Sequence, residues 1–303
     1  MSSIDLKGKI ERLKKERGAI ILAHNYQVGE VQDIADFVGD SLALSKTAAK
    51  TDAKVIVFCG VHFMAETAAI LSPEKKVIMP DLNSGCPMAD MITLDKLRRL
   101  KEQHRQAVVV CYVNTTAEVK AESAICCTSA NAAKVVGSIP ADREIIFVPD
   151  KYLGGYISKK TGREMILYNG FCPTHLRIIG EDIKRLKAEH PDALVIVHPE
   201  SSPEVAGLAD LILGTEGILR EVKLSNTREF IIGTETGIIH RLKKENPDKI
   251  FYPASEKAIC VNMKRNSLEK ILWALEDMEN IVIVPDDIAK RAKRAIERMM
   301  EVS

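Results

Sequence analysis

The chain has 303 residues, of which 46% are hydrophobic and 28% charged, with a formal net charge of +1. This is the balance of an ordinary globular protein, and it excludes the strong positive field that draws proteins to nucleic acid or to an anionic membrane. Apolar stretches such as residues 18–23 and 281–284 are far too short to span a bilayer, and charge alternates from Asp5 onward where a signal peptide would be apolar, so a cytoplasmic location is expected.

In chain order, a charged amphipathic helix is predicted over residues 4–17, followed by an apolar run over 19–23 whose length and β-branched content argue a buried strand. A helix opening at Glu30-Val31 comes next, then the polar turn Gly39-Asp40-Ser41, another helix, and a strand over 55–58 that ends on Cys59-Gly60. One more helix leads to a strand over 77–79, and Cys86 lies a few residues beyond it. The same order returns as a helix over 94–104, a strand over 107–113, Glu118-Val119, the turn Cys127-Thr128-Ser129, strands over 145–148 and 165–167, and Cys172. It returns again as a helix over 181–190, a strand over 193–197, Glu204-Val205, Gly214-Thr215, strands over 230–232 and 250–252, and Cys260. Two further helices, over 267–277 and 286–300, do not start a fourth unit.

The polar residues keep the same beat. Cys86, Cys172 and Cys260 are 86 and 88 residues apart, while Ser41, Ser129 and Thr215, like His24, Tyr112 and His198, are 88 and 86 apart. A unit of this length has been triplicated. Strands alternating with helices on short connections predict an α/β fold: three pseudo-equivalent three-layer α/β/α domains with short parallel sheets around a pseudo-threefold axis. The units are placed at residues 1–90, 91–177 and 178–262, with 263–303 closing the first. Each unit is near the lower size limit for folding alone, so the three are expected to depend on one another.

In parallel sheets ligands collect at the carboxyl ends of the strands, and every member of the repeated set falls just after a strand. If those edges face one axis, Cys86, Cys172 and Cys260 converge. Thiolates select zinc, copper(I) or iron–sulfur clusters, and three of them leave the usual fourth ligand position open for substrate. Core packing is the expected role of Cys59 and Cys111 in apolar strands, and also of Cys126 and Cys127, read as the end of a helix. Seven cysteines without a close C-x-x-C pair do not suggest a secreted disulfide framework.

The tripeptides His24-Asn25-Tyr26, Tyr112-Val113-Asn114 and His198-Pro199-Glu200 occupy equivalent strand ends. Histidine and glutamate exchange protons, and tyrosine donates to a developing oxyanion, so these residues make an acid–base apparatus. His62, His175 and His240 fall outside the shared register and are expected to pack or bond locally. Ser41, Ser129 and Thr215 precede predicted helices, where a hydroxyl serves as an N-cap or helps to bind an anion. No dinucleotide fingerprint, P-loop or nucleophile elbow is present. The residues thus argue for dehydration or condensation of a small polyanionic molecule. A zinc-dependent aldolase or hydrolase, and a non-catalytic binding protein for such a solute, remain alternatives.

The strings Ala23-His24-Asn25-Tyr26-Gln27, Gly39-Asp40-Ser41, Cys111-Tyr112-Val113-Asn114-Thr115, Cys127-Thr128-Ser129, Gly170-Phe171-Cys172-Pro173 and His198-Pro199-Glu200 resemble those of the quinolinate synthase family, over about residues 18–262. That resemblance implies three α/β/α domains around a [4Fe-4S] cluster held by Cys86, Cys172 and Cys260, with one open iron that acts as a Lewis acid. It implies condensation of iminoaspartate with dihydroxyacetone phosphate to quinolinate, for NAD biosynthesis, and makes the enzyme supplying iminoaspartate a candidate partner. His24, Tyr26, Tyr112, His198 and Glu200 would handle protons and orient intermediates, and Ser41, Asn114, Ser129 and Thr215 would hold carboxylates and phosphate. Some members carry a C-x-x-C pattern near the third ligand. Here Cys260 stands alone, so a thiol–disulfide switch does not carry over.

Overall fold

The structure, a computed structural model, describes residues 3–302. It contains three four-stranded sheets in which every strand pair is parallel. The first comprises β1 (Ala19–His24), β2 (Phe37–Gly39), β3 (Val55–Cys59) and β4 (Lys76–Ile78); the second β5 (Val108–Tyr112), β6 (Ile125–Cys127), β7 (Ile145–Val148) and β8 (Ile166–Leu167); the third β9 (Leu194–Val197), β10 (Leu211–Ile212), β11 (Glu229–Gly233) and β12 (Ile250–Pro253). Their orders are β2-β1-β3-β4, β6-β5-β7-β8 and β10-β9-β11-β12, so the topology is the same three times. β3 and β7 are buried along their whole length, and as expected for strands covered on both faces, their sequences are continuous apolar runs without alternation.

The edge strands β2, β6 and β10 are absent from the sequence pattern. They are only two or three residues long, and their pairing depends on the neighbouring strand more than on their own composition. Cys126 and Cys127 therefore sit in a strand, not at a helix end, with Cys126 opposite Cys111 in the ladder. Two of the units also share a device for starting the sheet: Asp36 accepts the Ile21 N–H at 2.7 Å, and Asp210 accepts the Val195 N–H at 2.8 Å.

The C-terminal segment divides its contacts between two units. Helix Leu268–Asp277 lies on helix Ser3–Arg17 and β3. Residues 280–282 then run antiparallel along the free edge of β4, with Val282 N–H donating to Val77 C=O at 2.9 Å. Helix Asp286–Glu301 crosses to the second unit, covering helix Ala117–Ala121 and β6, and also touches helix His62–Leu71. Near its end the Met299 carbonyl accepts from Asn131 Nδ2 at 3.1 Å, and Asn131 Oδ1 accepts the Thr128 N–H at 2.8 Å. This chain of bonds ties the last helix to the loop that carries Ser129.

Candidate active site

The carboxyl ends of β1, β5 and β9 open on one shared cavity. β1 delivers His24 and, in the following turn, Tyr26; β5 delivers Tyr112 and then Asn114; His198 and Glu200 follow β9. Ser41, Ser129, Thr215, Cys86, Cys172 and Cys260 line the same cavity, so all twelve residues selected by spacing and motif are brought together. No lysine or arginine is among the lining residues.

The hydroxyl residues are not N-caps. Asp40 and Gly214 hold that position before helices Ser41–Lys50 and Thr215–Leu224, and Asn131 holds it before Ala132–Gly137. Their hydroxyls are therefore free for other partners: Thr215 Oγ1 lies 3.2 Å from Tyr26 Oη, and Ser129 Oγ lies 3.3 Å from His198 Nε2. Gly214 is required for the second contact, because a Cβ there would sit 2.7 Å from Ser129 Oγ.

Each cysteine precedes a short helical turn: Pro87–Met91 after Cys86, His175–Arg177 after Cys172, and Met263–Arg265 after Cys260. The turns point backbone N–H groups back at the sulfurs, from Met88 and Ala89, from His175, and from Asn262 and Met263. Burial pushes all three thiols up, Cys86 to about 12, and the charges of the other cysteines add to the rise at Cys86 and Cys172. Soft donors that repel one another yet are faced by N–H groups suit a bound cationic centre, which would relieve the repulsion while the amides stabilise the ligating sulfurs. A second donor group overlaps this one: Cys172, His175 and Glu200 offer ligand atoms all within 4.8 Å of one another, close enough to hold a metal ion.

His175 is the residue that the repeat arithmetic assigned wrongly. It is 2% exposed, with Nδ1 2.8 Å from Glu200 Oε2 and 3.1 Å from Cys172 Sγ, and its ring stacks on His198 at 4.7 Å between centroids. His62 and His240 line no part of the cavity: His62 faces Glu66, one turn on, at 3.8 Å, whereas His240 reaches across to Asp33 of the first unit at 3.0 Å. Glu235 also escaped the sequence reading. Fully buried, it ion-pairs with Lys264 at 2.9 Å and accepts the Cys260 N–H at 2.9 Å. The only available signal was its place after β11, shared with other polar strand tails.

Burial dominates the electrostatics. It lowers His24 and His198 to about 3, so both rings are neutral at working pH. Burial pushes Glu200 upward, but His175 and His198, with hydrogen bonds from His175 and Tyr112, outweigh it and hold the carboxyl at about 2. Tyr112 Oη donates to Glu200 Oε1 at 2.5 Å. Burial, reinforced by the Glu200 charge, raises both Tyr26 and Tyr112, which remain phenols and donors.

Fold and site together define an α/β enzyme of three repeated units whose strand ends enclose a thiol-, imidazole- and carboxylate-lined chamber. The chain matches the family model described as quinolinate synthetase A protein over residues 8–301, and it belongs to that family. Among proteins similar to it, the quinolinate synthase of Dehalococcoides mccartyi strain CBDB1 is 59% identical over 294 residues, 97% of each chain. The quinolinate synthase of Thermodesulfovibrio yellowstonii is 56% identical over 96% of each chain, and quinolinate synthase 1 of Methanosarcina acetivorans is 54% identical over 100% of this chain and 99% of its own. Among the described residues, no helix is long and apolar enough to cross a membrane.

Proposed function

We propose that the chain forms quinolinate by condensing iminoaspartate with dihydroxyacetone phosphate, with release of phosphate and two waters, as a step toward NAD. The observation that carries this reading is the meeting of three cysteines, one after each sheet, in the same cavity as the acid–base residues. Cys86, Cys172 and Cys260 would hold a [4Fe-4S] cluster. When bound, such a cluster supplies one iron free of protein ligands, a Lewis acid for a substrate oxygen or nitrogen.

The chain's own residues account for the rest of the chemistry. His24 and His198 are neutral rings whose Nδ1 accepts a backbone N–H, so each presents its Nε2–H to substrate oxygen, while Glu200 stays an ionised carboxylate able to take a proton. Tyr26 and Tyr112 donate from Oη to oxygen that gains charge. With no cationic side chain in the wall, the carboxylates and phosphate are held by Ser41, Asn114, Ser129 and Thr215, aided by the N-termini of helices Ser41–Lys50 and Thr215–Leu224. Asn114 Oδ1 is buried without a partner, so a substrate N–H or O–H is the natural donor to it. The Tyr26, Tyr112 and Glu200 side chains exclude water from the reacting atoms, being 8%, 5% and 3% exposed. We place the reaction in the cytoplasm, where free thiols persist, with the enzyme that makes iminoaspartate as the candidate partner.

A zinc-dependent hydrolase or aldolase has one observation in its favour, the compact Cys172, His175 and Glu200 group. The three cysteine sulfurs do not form such a compact set, whereas one zinc with bonds of about 2.3 Å would draw thiolates to within about 4 Å of one another. An anaerobic assay for quinolinate, with metal analysis of the same sample, decides between the readings. About four iron and four sulfide per chain with quinolinate formed supports the proposal. One zinc and no quinolinate supports the hydrolytic reading, and a metal-free, inactive protein a binding module.

A further inference from the structure

Four buried side chains that follow strands of all three sheets join end to end beside the cavity. Tyr26 Oη lies 2.6 Å from Thr234 Oγ1, Thr234 Oγ1 lies 2.8 Å from His175 Nε2, and His175 Nδ1 lies 2.8 Å from Glu200 Oε2. Thr234 follows β11, is 1% exposed, and is not among the residues that line the cavity. Its hydroxyl is the hinge of the arrangement, because it has one hydrogen and two neighbours that both need a partner.

The hydrogens can be placed without conflict in one way for a neutral ring. The ionised Glu200 carboxylate is an acceptor only, so His175 Nδ1 must carry the hydrogen that reaches it. The same N–H also faces Cys172 Sγ at 3.1 Å. Nε2 is then the bare nitrogen and accepts from the Thr234 hydroxyl, which leaves the Thr234 oxygen to accept from Tyr26. Glu200 receives two donors, His175 and Tyr112, and the Tyr26 phenol is aimed by Thr234 more closely than by Thr215 at 3.2 Å.

We propose that Thr234 is a positioning residue for the reaction: its hydroxyl bridges His175 Nε2 and the Tyr26 phenol and holds both side chains in place, so that Glu200 and Tyr26 meet substrate in fixed orientations. This inference deepens the functional reading above, and its kinetic test rests on that reading. A valine at this position keeps the shape of threonine and removes only the hydroxyl, whereas serine keeps the hydroxyl and removes only the methyl.

The test uses anaerobically prepared holoenzyme, with kcat expressed per iron–sulfur cluster, for the wild type, Thr234→Val and Thr234→Ser. In Thr234→Val, kcat falls about 10- to 100-fold while KM stays within about threefold, and Thr234→Ser returns kcat to within about threefold of wild type. In histidine-labelled protein, the ¹⁵N signals of His175, assigned by their loss in His175→Asn, report a hydrogen-bonded Nε2 in the wild type and an Nε2 without that bond in Thr234→Val, with Nδ1 unchanged. A Thr234→Val enzyme with wild-type kcat, a Thr234→Ser enzyme as impaired as the valine variant, or nitrogen signals that do not move overturns the proposal. If the wild type makes no quinolinate, the functional reading fails, and the nitrogen signals still decide the role of Thr234.

Discussion

Acid should destabilise this protein through two particular rings. His24 and His198 are held at about 3 in the fold against an ordinary value near 6.5, so unfolding takes up a proton at each as pH falls from about 6.5 toward 3. Their contribution to stability is complete above the ordinary histidine range and is lost below it. At pH 5 the native rings are still neutral and the unfolded rings nearly all charged, so each costs roughly 2 kcal/mol relative to pH 8. Asp40 works in the opposite direction, since burial pushes it up to about 6, and its proton favours the fold in acid. It is common to wild type and variant, and cancels when the two are compared. Asparagine is the suitable replacement, because its side-chain oxygen can accept the Tyr26 N–H that His24 Nδ1 now accepts at 3.2 Å, or the Glu200 N–H that His198 Nδ1 accepts at 3.3 Å. Urea unfolding followed by circular dichroism, on samples matched for iron, gives the unfolding free energy at both pH values. The His24→Asn protein is expected to lose about 2 kcal/mol less than wild type between pH 8 and pH 5. Equal losses would refute the assignment of a neutral buried ring.

Three other substitutions test the site. Cys172→Ala should abolish cluster content and quinolinate formation together, whereas Cys126→Ala in β6 leaves both; full iron in the first variant would remove Cys172 from the ligand set. Tyr112→Phe deprives Glu200 of its 2.5 Å donor, and with hydrogen bonds to charged groups worth about 1.5–3 kcal/mol, kcat/KM should drop about 10- to 100-fold. Wild-type kinetics in that variant would make the phenol a bystander. Gly214→Ala places a Cβ 2.7 Å from Ser129 Oγ and should raise substrate KM about tenfold through a strain in the range of about 1–3 kcal/mol, with the fold retained by circular dichroism. An unchanged KM would show that Ser129 moves aside freely.

The sequence reveals those parts of the molecule that were copied with the unit. The six inner strands β1, β3, β5, β7, β9 and β11 are visible as apolar runs because burial on both faces leaves composition no alternative, and the strand-end residues His24, Tyr112 and His198 are visible because they keep register. β2, β6 and β10 are two or three residues long and run straight into the polar turns at 39–41, 127–129 and 214–215, which mask them, whereas the equally short β4 and β8 stand apart from those turns. His175 has no counterpart in the other units at its position, so periodicity gave it no weight. Its neighbours Glu200 and Thr234 are 25 and 59 residues away, and only the tertiary arrangement brings them to the ring. The reading of Ser41, Ser129 and Thr215 as caps failed for a related reason. Ser41 and Thr215 stand one residue past the cap and Ser129 two residues before it, and sequence pattern does not resolve helix ends that finely.

The bond from Asn131 to the Met299 carbonyl implies an order of assembly during translation. The second lobe emerges from the ribosome far ahead of the helix that shields β6, so its apolar flank and the Asn131 amide must wait, solvated or chaperoned, until that late segment arrives. The middle of the polypeptide is in this sense finished last, and nascent chains stalled before residue 286 should expose a sticky surface that the released protein hides.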